Sequence, residues 1–147
     1  MTRSILVPVD GSEQADAAFD HAIDTHDDVE LTVLCVLGPT HTGYFRDDAE
    51  IEEPRGADYE ARIDKETAFL EGYVERGEEA GVPVSVETIV ADERGHESRE
   101  IIAFAEETGV DEIVMGSHGR TGVSRVLLGS VAERVVRRAP VPVTVVR

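Results

Sequence analysis

Apolar residues recur along the chain with two spacings that alternate from one end to the other. Short, mostly apolar runs at 3–9, 30–37, 84–90, 112–115 and 141–146 are typical of strands buried on both faces. Helical spacing covers the segments between them, at 12–26, about 57–80, about 97–107 and about 129–138. The predicted order of elements is therefore βαβαβαβαβ.

Each helical segment has an apolar stripe, and most have a recognisable end. Gly81 with Pro83 closes the second helix, Gly109 closes the third, and Pro140 follows the last. The core-facing helix positions are expected to be Ala15, Ala18, Phe19, Ala22, Ile23, Tyr59, Ile63, Leu70, Tyr73, Val74, Ile101, Ile102, Ala105, Val131, Val135 and Val136.

Strands that alternate with helices and are apolar on both faces indicate a parallel sheet covered on both sides. Right-handed crossovers limit the winding. The predicted fold is a doubly wound, Rossmann-like α/β fold with five parallel strands in the order 3-2-1-4-5. The order reverses between strands 1 and 4, and ligands bind at the carboxyl ends of the strands beside such a switch point. The loops at 9–12 and 116–122 are therefore expected to carry function.

Length and composition predict one domain spanning 1–147. A chain of 147 residues with 41% apolar content fills a single core without disulfides or structural metals. No run approaches the roughly 20 apolar residues that a membrane span needs, and the chain leads directly into a strand, so a cytoplasmic protein is expected. Cys35, the single cysteine, is predicted to be a buried structural thiol.

The formal net charge of −17 is strongly acidic, and Lys65 is the only lysine. This composition resembles proteins of high-salt cytoplasms, and it argues against nucleic acid as a partner because phosphate backbones need a basic face. Residues 113–147 hold six arginines and one acid, Glu133. The formal net charge is therefore +5 in this segment and −22 in the rest of the chain. Because the Debye length falls from about 8 Å at physiological salt to about 3 Å at 1 M, local cations decide where an anion binds. An anionic ligand is expected in this segment.

The loop after strand 4 has the composition of a phosphate-binding loop. It runs Gly-Ser-His-Gly from Gly116 to Gly119, and Gly129, Ser130 and Val131 follow at a helix start. Glycines let backbone N–H groups approach an anion, and the N–H groups and dipole of a helix N-terminus attract negative charge. In the structural alternative, the glycines only turn the chain and Ser130 only caps the helix. The Walker and G-x-G-x-x-G patterns are both absent.

The spacing from Gly116 to Val131 resembles the signature G-x2-G-x9-G-[ST] of the ATP-binding branch of the universal stress protein family, and every signature position is met. The resemblance covers essentially the whole chain, including Ile-Leu-Val-Pro-Val-Asp-Gly-Ser at 5–12 and Val-Ala-Glu-Arg-Val-Val at 131–136. It implies a stress-response protein that binds ATP, ADP or AMP, with Mg²⁺ or Mn²⁺ held mainly by phosphate oxygens.

The resemblance also implies which residues bind the nucleotide. Adenine and ribose would be flanked by Pro8, Val9 and Asp10, with apolar contact from Val36 and Met115. Ribose and phosphates would be held by Gly116, Ser117, His118, Gly119, Gly129, Ser130 and Val131.

Two of these side chains have another role open to them. Asp10 is an acceptor suited to a ribose hydroxyl or an adenine amine, but Asp10 and Glu13 also match the spacing of a capping box. His118 has no acid or nucleophile that the sequence places beside it, which favours loop packing or phosphate contact over catalysis.

The remaining cations and histidines give weaker signals. Arg120 and Arg125 are within reach of a phosphate, whereas solvated or intersubunit roles are favoured for the arginines of the last helix, Arg134, Arg137 and Arg138. His21 and His26 lie five residues apart, not at the i, i+4 spacing of a metal pair, so no metal site built only from protein is expected.

Three functions remain open. The leading hypothesis is a nucleotide-dependent regulatory switch in which ATP orders the polar segment 38–55, predicted to be a flap. No general base or second carboxylate is evident for phosphoryl transfer, so no catalytic residue is assigned, and a slow ATPase or phosphotransferase is the alternative. The third is a structural dimeric stress protein, because the final strand at 141–147 is an apolar edge that predicts a homodimer.

Overall fold

The computed structural model describes residues 2–37, 57–91, 96–117 and 128–147. Within them the chain forms an all-parallel sheet with the strand order β3-β2-β1-β4-β5. The strands are β1 Arg3–Val9, β2 Val29–Leu37, β3 Val84–Val90, β4 Glu112–Gly116 and β5 Val143–Val146. The parallel sheet and the strand order predicted from the sequence are confirmed, and each strand begins and ends within two residues of its predicted limits.

The helices of the described part are α1 Glu13–Asp24, α2 Ala57–Thr67, α3 Leu70–Ala80, α4 Glu97–Thr108 and α5 Ser130–Arg138. Gly81 and Gly109 are the C-caps of α3 and α4, as predicted, and both adopt the left-handed conformation. The prediction of one continuous helix at 57–80 is wrong, because the segment is divided into α2 and α3.

The division between α2 and α3 has a local cause. The Gly72 N–H donates to the Phe69 carbonyl oxygen at 3.3 Å, a three-residue span that tightens the backbone. The Thr67 hydroxyl donates to the Ile63 carbonyl oxygen at 2.7 Å, a contact that bends helices. The turn directs Phe69 into the core, where its ring centroid lies 6.2 Å from that of Tyr73.

The sheet separates two apolar layers. Ile5 and Val7 of β1 pack with α1 and α3 on one face, whereas Leu6 packs with α4 and α5 on the other. Burial on both faces explains why the sequence of β1 is apolar without polar alternation. Cys35 is buried in the first layer, as predicted.

Most helix residues predicted to face the core do so. One prediction is wrong, because Val136 is 45% exposed and the inward position of α5 is taken by Ala132 at 3%. The buried residues are Ala15, Ala18, Phe19, Ala22, Leu70, Tyr73, Ile101, Ala105 and Val135, and the half-buried ones are Ile23, Ile63, Val74, Ile102 and Val131. The side chain of Tyr59 lies outside the described part.

A buried tyrosine attaches α3 to α1. The Tyr73 hydroxyl donates to Asp16 Oδ1 at 2.6 Å, and the Arg76 guanidinium lies over the Phe19 ring at 4.7 Å from its centroid. Burial, followed by the hydrogen bond to Asp16, raises the pKa of Tyr73 far above its ordinary value. The phenol therefore remains protonated, and a donor, throughout the physiological pH range.

A buried carboxylate joins several elements at the amino-terminal edge of the sheet. Glu112, 6% exposed at the start of β4, accepts a hydrogen bond from the Thr144 hydroxyl of β5 at 2.7 Å. Its other oxygen lies 3.2 Å from an Arg3 guanidinium nitrogen and 3.1 Å from His26 Nε2, just beyond α1. The carboxylate thus connects β1, β4, β5 and the end of α1 at the edge opposite the switch point.

No helix in the described ranges combines the length and apolar character needed to cross a membrane. The cytoplasmic location expected from the sequence stays a prediction.

Replacing Glu112 by glutamine should lower the free energy of unfolding by about 1–3 kcal/mol. The neutral amide cannot form the ion pair that the buried carboxylate makes with Arg3. Denaturant unfolding at fixed KCl measures the change. Glu30→Gln, an equal charge change on the exposed surface of β2, should stay within about 0.5 kcal/mol of the parent. Equal effects of the two substitutions would contradict a specific role for Glu112.

Candidate functional site

The turn after β1 brings a carboxylate to the switch point. Pro8 and Val9 are buried, and Asp10 is half-buried immediately after them. Asp10 Oδ1 accepts the Ser12 N–H at 3.0 Å across Gly11, whose φ of +81° a glycine adopts without steric cost.

The helix that follows is capped by a different residue from the one considered in the sequence. Ser12 is the N-cap of α1, and its hydroxyl oxygen accepts the Ala15 N–H at 3.2 Å. The capping-box alternative for Asp10 with Glu13 is therefore wrong, because α1 begins two residues later than that pairing requires. Asp10 belongs to the turn between β1 and the cap.

The end of β4 is connected to both of the elements that follow it. Ser117 is buried directly after Gly116, and its N–H donates to the Val146 carbonyl oxygen of β5 at 2.8 Å. The Ser117 carbonyl oxygen accepts the Gly129 N–H at 2.7 Å. The two ends of the glycine-patterned segment, twelve positions apart in sequence, therefore meet through a direct hydrogen bond.

The start of α5 presents backbone donors that lack a side-chain cap. Gly129 is the N-cap, with φ −59° and ψ 158°, and it supplies no side-chain acceptor for the first N–H groups of the helix. Ser130 is the first helical residue and is exposed, so the alternative in which Ser130 caps the helix is wrong. Val131 is half-buried against the apolar layer. An uncapped helix start of this kind suits an anion.

Close backbone packing fixes α1 against β4. A Cβ atom added to Gly116 would lie 3.0 Å from the Gln14 backbone carbonyl carbon and 3.0 Å from its Cβ. With any larger residue at position 116, the first turn of α1 would have to shift by a few tenths of an ångström away from the end of β4. The Gly116 of the predicted phosphate loop therefore also has a packing role.

Gln14 is a residue that the sequence analysis missed. Its side-chain Oε1 is buried, and no hydrogen-bond partner for it is found among the described residues. A buried unsatisfied acceptor costs about 1–3 kcal/mol and calls for a specific explanation. No sequence pattern marks Gln14, because it approaches the end of β4 only in the folded chain.

Of the remaining predicted residues, Val36 and Met115 are described, and the others lie outside the described part. Val36 lies near the carboxyl end of β2 and packs, half-buried, with the α4 and α5 layer, and buried Met115 belongs to the same layer. Paired positions between β1 and β4 extend over Ile5 and Leu6, whereas β1 pairs with β2 along its whole length. The residues His118, Gly119, Arg120 and Arg125, and the predicted flap, lie outside the described part.

The described residues fit a nucleotide in chemical type. The helix start of α5 offers N–H donors for phosphate, Asp10 offers an acceptor, and Met115 is a buried apolar residue near the end of β4. Within the described ranges, no group of three or more His, Cys, Asp or Glu side chains is arranged to hold a metal ion.

A family model described as the universal stress protein family matches residues 1–147. The chain belongs to the universal stress protein family. Among similar relatives, the putative universal stress protein SH1215 of Staphylococcus haemolyticus is 37% identical, over 99% of this chain and 84% of that protein. Universal stress protein MJ0577 of Methanocaldococcus jannaschii is 31% identical, over 100% of this chain and 96% of that protein.

Solved structures agree with this assignment of the fold. The structure of MJ0577 matches with a TM-score of 0.79 at 30% identity, over 98% of this chain and 94% of the other. A universal stress protein in complex with cAMP matches with a TM-score of 0.67 at 22% identity, over 99% and 96% of the two chains. A family member from Arabidopsis thaliana with AMP bound matches with a TM-score of 0.64 at 18% identity, over 98% of this chain and 90% of the other. These last two likenesses support the fold.

Replacing Gly116 by alanine should destabilise the protein by about 1–3 kcal/mol, because its methyl group meets backbone atoms of Gln14 that cannot rotate away. Gly72→Ala is the matched control, since a Cβ there meets no described atom within 4 Å and lies in helix α3. It should leave stability unchanged or raise it by about 0.5–1 kcal/mol. Thermal unfolding of both variants tests the close approach, and an unaffected Gly116→Ala protein would refute it.

Proposed function

We propose that this universal stress protein binds an adenine nucleotide, ATP foremost, at the carboxyl ends of β1 and β4, and acts as a nucleotide-dependent regulatory switch in a single domain. The observation that carries the proposal is the hydrogen bond between Ser117 and Gly129. It holds the start of α5, which has no side-chain cap, beside the end of β4, and this arrangement supports phosphate binding at those N–H groups.

The adenosine half of the proposed site is made by the turn after β1. Asp10 would accept a hydrogen bond from a ribose hydroxyl or the adenine amine, and Met115 and Val36 would give apolar contact. Pro8 and Val9 are buried in the sheet, so their contribution is to fix the backbone that carries Asp10.

The phosphate half combines described and undescribed residues. Gly116, Ser117, Gly129, Ser130 and Val131 would place backbone N–H groups and the Ser130 hydroxyl around the phosphates. Further contacts are proposed for His118, Gly119 and Arg120, of which Gly119 is a position of the family signature. Mg²⁺ or Mn²⁺ would be carried by the phosphate oxygens, because this ion class takes oxygen ligands and prefers to keep water.

Relatives support the class of ligand. Two universal stress proteins of the same fold are described with cAMP and with AMP bound, and both ligands contain an adenine nucleotide. The signature from Gly116 to Ser130 is complete in this sequence. The ligand would change what a protein partner meets at this edge of the sheet, and a slow ATPase is the alternative outcome of binding.

Calorimetric titration with ATP, with and without Mg²⁺, should give a measurable heat of binding. Asp10→Asn should weaken ATP by about five- to thirtyfold, because a charged acceptor is lost while the amide oxygen keeps the local bond to Ser12. Asp24→Asn, an equal charge change at the exposed far end of α1, should bind as the parent does. Absence of any heat in the parent protein would refute nucleotide binding, and phosphate release from the same samples would reveal hydrolysis.

A specific observation also favours the predicted homodimer through 141–147. β5 is an edge strand of the sheet, and its four residues are all half-buried. Leu128 and Val136, the exposed large apolar residues of the described part, belong to the same C-terminal region. We therefore propose that β5 pairs with β5 of a second copy, since an apolar open edge tends to find another edge.

Backbone geometry gives a direct test of this pairing. The Pro142 and Val146 carbonyl oxygens face β4, so alternate residues, including Val145, direct their N–H groups away from the sheet. Val145→Pro removes such an outward donor and should shift the molar mass in solution from dimer to monomer at micromolar concentration. Val145→Thr keeps the N–H and should stay dimeric. A monomeric parent, or a dimer unaffected by proline, would contradict pairing through β5.

A further inference from the structure

Gln14 places an unpaired hydrogen-bond acceptor beside the end of β4. Its Oε1 atom is buried and has no hydrogen-bond partner among the described residues. A Cβ atom built at Gly116 would lie 3.0 Å from the Gln14 Cβ atom, so the glutamine side chain starts next to the last residue of β4. An acceptor that is left unpaired in the interior costs free energy, and a suitable donor would recover it.

The starts of α1 and α5 lie at the end of β4 on opposite faces of the sheet. Ala15, in the first turn of α1, belongs to one apolar layer, and Ala132, in the first turn of α5, belongs to the other. The Gly129 N–H donates to the Ser117 carbonyl oxygen at 2.7 Å, which places the start of α5 at the residue after Gly116. A nucleotide bound at the start of α5 and at the end of β4 would therefore have the first turn of α1 beside it.

The acceptor at this position is neutral in a chain that is rich in charged ones. The sequence contains 31 aspartates and glutamates but a single glutamine, Gln14, and no asparagine. Close to the phosphates of a nucleotide, a carboxylate would repel the ligand, whereas an amide oxygen accepts a hydrogen bond without carrying a net charge. A glutamine is therefore suited to read a donor of the ligand near its phosphates.

We propose that Gln14 Oε1 accepts a hydrogen bond from a ribose hydroxyl and so makes the site selective for ribonucleotides over deoxyribonucleotides. This inference rests on the proposed binding of an adenine nucleotide. Phosphate oxygens at neutral pH are acceptors, so the donor belongs to the sugar or the base. The proposed apolar contacts of the base, Val36 and Met115, lie in the α4 and α5 layer, whereas Gln14 belongs to the helix on the other face. The sugar joins the base to the phosphates, and its hydroxyls are donors.

The hydrogen bond to the ribose would contribute to binding because it pairs an acceptor that the fold leaves unpaired. A glutamine side chain turns toward a ligand by rotation about its staggered torsions, without movement of the α1 backbone. Asp10, at the end of β1, is the other acceptor of the proposed site. The two side chains would provide one acceptor for each of the two ribose hydroxyls, or one for a hydroxyl and one for the adenine amine.

Calorimetric titration of the full chain with ATP, 2′-deoxy-ATP and 3′-deoxy-ATP tests the proposal. The parent should bind ATP about three- to tenfold more tightly than the deoxynucleotide that lacks the hydroxyl bound by Gln14. Gln14→Met keeps the length of the side chain and removes its acceptor, so this difference should disappear while ATP still binds. Glu13→Met introduces the same side chain at the exposed neighbouring position and should retain the difference.

Thermal unfolding without added nucleotide gives a second readout. Because Gln14→Met removes an unpaired buried acceptor, its melting temperature should rise by about 2–4 °C. Glu13→Met should give no such rise, since Glu13 is exposed in the first turn of α1, where an acid favours the helix dipole. A lower melting temperature for Gln14→Met would show that the amide already stabilises the fold, which contradicts an acceptor reserved for a ligand.

The binding data separate failure of this inference from failure of the proposed function. Equal affinity of the parent for ATP and both deoxynucleotides would overturn the selectivity and leave nucleotide binding intact. A difference that persists in Gln14→Met would assign the ribose hydroxyl to another residue. Absence of any heat with ATP in the parent would overturn the proposed function itself, and this inference with it.

Discussion

The close approach of α1 to the end of β4 is the constraint on which the proposed site at the carboxyl ends of β1 and β4 depends. With no Cβ at Gly116, the Gln14 backbone lies where a side chain would otherwise stand. The first turn of α1 lies close to β4, and α1 begins only three residues after Asp10. The ends of β1 and β4 are consequently fixed side by side, although their ladder pairs at only two positions. The absence of a Cβ atom at Gly116 thus permits the close approach between the start of α1 and the end of β4.

Ser117 extends this constraint to the rest of the C-terminal half. Its N–H donates to β5 and its carbonyl oxygen accepts from the start of α5, so a single buried residue at the end of β4 connects three elements. The helix behind that start is anchored by Ala132 and Val135, both buried beneath α4. The positions of the backbone donors at the start of α5 are therefore supported by the core and by the bond between Gly129 and Ser117. Pre-positioned donors suit anion binding because no ordering of the helix is required when the ligand arrives.

The sequence allowed the sheet to be predicted, because strands buried on both faces leave long apolar runs and the helices between them leave a different period. The sequence predicted less well those positions at which neighbouring residues compete for the same structural role. Asp10 with Glu13 matched a capping box, yet Gly11 turns the chain so that Ser12 becomes the cap. In α5, Val131, Ala132, Val135 and Val136 are all apolar, and only packing decides that small Ala132 faces inward. The contact of Gln14 with Gly116 joins residues 102 positions apart and has no local signature.

The adjacent arginines at the end of α5, Arg137 and Arg138, differ in their surroundings. At a Debye length of about 8 Å at physiological salt, and about 3 Å at 1 M, the −22 of the remaining chain is largely screened from a ligand already in contact. What then matters is whether a cation is held by a neighbouring carboxylate. Arg137 is held by Glu133, whereas Arg138, one position later, lines a groove between α4 and α5. Two adjacent residues of equal charge therefore have different neighbours, and the difference comes from the face of the helix that each occupies.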